Sequence, residues 1–203
     1  MNETELKQIA DNLKQMDYAA AEAMKEGNIP KAIAGYELMY DAELAVGLER
    51  NAGRTLLNLS NLYLEMNRKE KALERAEKAI ESFKRCGAKD DVISGRLIVA
   101  RCLALLEKKN ESIAEVEEAI RSCRTDNQRG DAYLMLAECQ RIAGDRWKAR
   151  DAVDRSVRYF EYLHDDIGLV RALNERIFLM EQSGQAGAAA MDRSRLAVIT
   201  SSL

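Results

Sequence analysis

The chain has 203 residues, 47% of them hydrophobic and 32% charged, with a formal net charge of -3. That balance excludes an intrinsically disordered chain. It argues against a nucleic-acid protein working through a basic face, because acidic and basic residues are interleaved along the whole length.

The opening, Met1-Asn2-Glu3-Thr4-Glu5, is polar and acidic and has no features of a signal peptide. No run reaches the roughly 18 uncharged apolar residues that a membrane span needs. A cytoplasmic protein is the expectation. A first helix is predicted from about Thr4 to Lys25, with Leu6, Ile9, Leu13, Met16 and Ala20 along one face. Gly27 ends it, and Pro30 suits the first turn of the helix that follows.

From here the sequence repeats itself. The segment Glu70–Ser82 has a counterpart 40 residues later in Asn110–Ser122, and the apolar places agree in kind. A small residue recurs at Ala32, Ala72, Ser112, Ala149 and Ala189, in steps of 40, 40, 37 and 40. Twelve residues before each lies a second contact place, at Ala20, Ser60, Ala100, Ala137 and Ile177. A turn residue stands at Gly27, Asn67, Gly144 and Gly184, with Glu107 in the third copy.

Each unit therefore reads as two amphipathic helices, A then B. Small residues at the crossing let the helix axes approach, and Gly or Asn supplies the left-handed residue that closes helix A. Polar segments between units, such as Leu48–Gly53 and Leu163–Gly168, read as further turns, with Asp91 and Asp126 as helix caps. No pair can bury its apolar stripe alone, so the pairs must stack. The result is an all-α solenoid of about five repeats in one domain. Their frames are near 13–50, 53–90, 93–127, 130–167 and 170–203, and 1–12 extends the first helix.

The second copy, with Leu59-Ser60, Tyr63, Ala72 and Ala79, resembles the tetratricopeptide repeat (TPR) family. The period near 40 and the missing proline at the end of helix B resemble its long-helix subgroup, which includes kinesin light chains, spindle adaptors and bacterial peptide-sensing regulators. The resemblance implies a right-handed superhelix whose concave side is lined by A helices and holds a peptide or helix of a partner protein.

Carried onto this chain, the family pattern makes the inner-facing candidates Arg54, Leu57, Asn58 and Asn61 in copy two, and Leu97 and Arg101 in copy three. Leu134, Glu138 and Arg141 follow in copy four, and Asn174 in copy five. Lys14, Asp17, Tyr18 and Phe178 fall on the same projected face. An Asn amide donates and accepts together, which suits a peptide backbone; Arg54 and Arg101 suit acidic groups. The clamp that some relatives use for a C-terminal carboxylate is not expected, since Asp17, Ala21, Ser94 and Ile98 occupy its places.

Catalysis is not expected. His164 is the only histidine and falls in a predicted loop. No nucleophile motif or Gly-rich phosphate loop accompanies it. Trp147 reads as a packing residue. Cys86, Cys102, Cys123 and Cys139 have separations unlike zinc or redox pairs and read as reduced, buried core residues, so no metal or cofactor is expected. The closing stretch, Leu196–Leu203, is apolar where a solenoid usually carries a polar cap. It suggests an alternative role in homodimerisation, beside that of a peptide-sensing receptor served by a separate output protein.

Overall fold

The computed structural model describes residues 3–202, apart from the side chains of Glu3 and Leu6. The expected contribution of Leu6 to the first helix face, and Leu203, lie outside the described residues. Within them the chain is all-α, with ten helices and no strand: α1 Glu3–Lys25, α2 Ile29–Ala45, α3 Glu49–Glu65, α4 Lys69–Arg85, α5 Lys89–Leu105, α6 Lys109–Ser122, α7 Asp126–Ala143, α8 Arg146–Leu163, α9 Asp166–Gln182 and α10 Ala186–Thr200. Odd-numbered helices are the A helices and even-numbered ones the B helices. Packing divides the chain into two compact units, the first ending at Ile98 and the second starting at Val99, inside α5.

The helix ends share one device. Eight of them close with a left-handed residue: Gly27, Gly47, Asn67, Gly87, Glu107, Gly144, His164 and Gly184. The next amide then reaches back five residues, as in Arg68 N to Tyr63 O at 2.8 Å and Lys108 N to Leu103 O at 2.9 Å. This satisfies a carbonyl that the last turn leaves unpaired. The predicted turn positions are all used, including Glu107, which holds φ 62° without being glycine. His164 is also a left-handed cap, at φ 53°.

The end of α6 departs from this pattern. Cys123 is extended there, and Thr125 with Gln128 forms a capping box that starts α7. The helix cap is Thr125, not Asp126. Similarly, Asp91 lies in the first turn of α5 and does not cap it. α6 has 14 residues where α4 has 17, which is where the repeat step falls from 40 to 37.

The turns are shorter than the polar segments suggest. Gly53 and Gly168 lie inside helices, and their reading as turn residues is replaced by one of close approach. A Cβ on Gly53 would come within 2.5 Å of the Phe83 ring, and one on Gly130 or Gly168 within 2.8 or 2.4 Å of the Phe160 ring. Phe83 and Phe160, both fully buried, thus pack against the N-terminal turns of A helices, Phe83 on α3 and Phe160 on α7 and α9, where glycine leaves no side chain to compete.

The small crossing residues are buried in every pair, and Ser60 Oγ donates to Ala72 O at 2.8 Å across the α3–α4 crossing. In the first unit Leu56, Leu59, Leu62 and Phe83 are fully buried. In the second, Val157, Phe160, Leu169, Ala172 and Leu173 form one cluster, flanked by Leu196 and Ile199 of α10. Each fully buried Val, Leu or Phe side chain among these contributes about 1.5–3 kcal/mol by leaving water.

Candidate functional site

In the first unit, side chains at a spacing of three and four keep to the solvent side of α3: Arg54, Asn58, Asn61 and Glu65 are all exposed. Neither Asn58 nor Asn61 has a hydrogen-bond partner among the described residues. Arg54 Nε donates to Asp91 Oδ1 at 2.9 Å and Arg50 Nε to Asp91 Oδ2 at 2.6 Å, so one carboxylate on α5 ties down two guanidiniums of α3. Leu57 and Leu97 do not join this stripe: they are 8% and 9% exposed and belong to the core. On α1, Tyr18 projects into solvent, 68% exposed.

In the second unit the A helices are joined by ion pairs about one repeat apart. Arg101 on α5 pairs with Glu138 on α7 at 3.0 Å, and Arg141 on α7 with Glu175 on α9 at 2.6 Å. Arg171 on α9 returns to Asp131 on α7 at 2.8 Å. Arg141 also lies over the Phe178 ring, 5.1 Å from its centroid. Leu134 is half-buried against the cores of α8 and α9, while Asn174 is exposed and has no described partner. Two predicted site residues, Arg101 and Glu138, therefore satisfy each other.

Tyr18 and Phe178, which the family pattern assigns to the same projected face, are the exposed aromatic side chains here, at 68% and 42%. Trp147 does not pack: it is 78% exposed and lines a cleft of about 250 Å³ with Arg146, Arg150 and Leu179. Met191 and Val198 on α10 are also exposed.

Of the cysteines, Cys102, Cys123 and Cys139 are buried as expected, but Cys86 is exposed, because it falls one residue past the end of α4. Burial pushes the Cys139 thiol up to about 11, against a lesser opposite effect of the Ser112 hydroxyl. Among the described residues no group of three or more His, Cys, Asp or Glu side chains could hold a metal ion. None of the described helices is long and apolar enough to cross a membrane.

No family model and no curated protein matches the sequence. Solved structures do. A Rap protein complexed with competence and sporulation factor superposes with a TM-score of 0.79 at 15% identity, over 92% of this chain and 53% of its own. The Rap conjugation gene regulator of the plasmid pLS20, in complex with a peptide, gives 0.81 at 14% identity, over 100% of this chain and 57% of its own. The nearly identical TPR-like repeats of a Podosopora anserina kinesin light chain give 0.64 at 12% identity, over 94% and 96% of the two chains.

This chain has the TPR-like repeat fold.

The TPR-like chain spans little more than half the length of the two Rap proteins. In its frame, α1, α3, α5, α7 and α9 are the A helices. Arg54, Asn58, Asn61, Arg101, Glu138, Arg141 and Asn174 all stand on A helices with their polar ends at least partly in solvent.

Proposed function

We propose that this TPR-like chain is a non-enzymatic interaction module that holds a peptide or helix of another protein against the solvent faces of its A helices. The observation that carries the reading is the pair Asn58 and Asn61. They are exposed on one face of α3, and nothing described satisfies their amides. An amide left free on an otherwise ion-paired face can donate to a carbonyl and accept from an N–H of a second chain. Tyr18, on α1 of the same unit, is the kind of exposed aromatic that anchors an interface. Two of the matched proteins, both Rap proteins, have structures complexed with a peptide or factor.

The arginines take a second role. Arg54 and Arg101 are about half exposed, so their ion pairs are worth roughly 0–1 kcal/mol each and a partner carboxylate can displace them. Arg141 is more enclosed and serves chiefly to fix α9 against α7.

The test is a peptide selected from a random library for binding to the full chain. Replacing Asn58 and Asn61 together by Ala is expected to weaken that peptide about tenfold or more, with the unfolding midpoint unchanged, since both sites are exposed. Selected peptides whose dissociation constants all ignore the double change would remove this reading.

A further inference from the structure

On the second unit, away from the exposed A-helix stripe, lies a cleft of about 400 Å³ whose described lining is Tyr133 of α7 with Arg155, Arg158, Tyr159 and Tyr162 of α8. The four α8 residues are spaced three, one and three apart, so they form one face of the helix. No carboxylate is among the described lining residues, in a chain whose formal net charge is -3.

The five side chains are arranged, not merely adjacent. The Tyr133 and Tyr159 rings stack with centroids 5.8 Å apart and planes 12° from parallel. Arg155 lies over the Tyr133 ring, 5.5 Å from its centroid, and Asp151 holds its guanidinium at 2.9 Å. Arg155 is thereby already engaged, by a carboxylate and by a ring face. Arg158 is not: it is exposed, with no ion pair or hydrogen bond among the described residues. One turn on, Tyr162 is 75% exposed.

We infer that this cleft binds a small planar aromatic anion of mononucleotide size. An unpaired guanidinium matches a phosphate group bidentately. The Tyr159 and Tyr162 rings offer π surface for a flat base, and base–aromatic stacking tolerates any base. The cleft has the volume of a small-molecule site, and its short lining accommodates one ring system and one anionic group rather than an extended chain. The inference is independent of peptide binding on the A helices.

The experiment is calorimetric titration of the full chain with adenosine 5′-monophosphate, adenosine and inorganic phosphate. Adenosine monophosphate is expected to bind saturably. Loss of the phosphate or of the base is expected to weaken binding about tenfold each. Arg158→Ala and Tyr162→Ala, both at exposed positions, are each expected to weaken the nucleotide about tenfold while the circular dichroism spectrum and unfolding midpoint stay put. Arg121→Ala, on α6 and outside the cleft, should leave it unchanged. No saturable heat up to about 10 mM nucleotide overturns the assignment. So does binding that is indifferent to both cleft variants, or equally strong binding by inorganic phosphate alone.

Discussion

Glu43 is buried on α2, and its carboxylate accepts from the Thr55 hydroxyl at 2.7 Å. Burial raises its pKa above the usual 4.5, with a smaller contribution from the charge of Asp17 and an opposing one from the Thr55 hydrogen bond. A carboxyl raised in the fold favours the protonated state there. Its stabilising contribution is complete below the unfolded pKa and is lost as pH rises through the folded one. Gln has nearly the same shape, cannot ionise, and can still accept from Thr55. Glu43→Gln is therefore expected to raise the urea midpoint at pH 7, with the gap closing as pH falls toward and below 4.5. Parallel curves for the two proteins from pH 4 to pH 7 would contradict this account of Glu43.

At the scale of the element, a helix end decides where each repeat turns. Glu107 occupies the left-handed position that glycine holds at five other ends and asparagine at one. A side chain there costs roughly 1 kcal/mol through the contact of its Cβ with the following carbonyl. Glu107→Gly is expected to stabilise the chain by about that much, less the added entropy of the unfolded state. Urea denaturation measures it, and a loss of stability would mean that the Glu107 side chain contributes something its turn geometry does not show.

The same elements show what was legible in sequence. Turn places and small crossing residues could be read because each follows from a local requirement, a positive φ or a close approach, that few residue types meet. Gly53 and Gly168 misled, because a glycine that makes room for a ring looks in sequence like one that makes a turn. The Arg–carboxylate pairs on the A helices could not be read at all: Arg54 and Asp91 are 37 residues apart and meet only once successive A helices lie side by side. That stacking also narrows the exposed stripe. The family pattern projects Leu57 and Leu97 onto the inner face, but both are buried, because a helix with neighbours on both flanks keeps only its crest in water.

Across the molecule, the TPR-like fold is a matter of repetition, while the proposed function rests on what breaks it. The A helices are mostly tied by ion pairs from one repeat to the next, and the exposed amides of Asn58 and Asn61 are left over. The most direct test places a photo-reactive benzoylphenylalanine at position 65 of α3, one turn beyond Asn61 on the same exposed stripe, and, separately, at position 77 of α4, which is exposed on a B helix. Irradiation in the presence of a selected peptide ligand is predicted to cross-link it from position 65 and not from position 77. Cross-linking from position 77 alone would place recognition on the B helices and contradict the account.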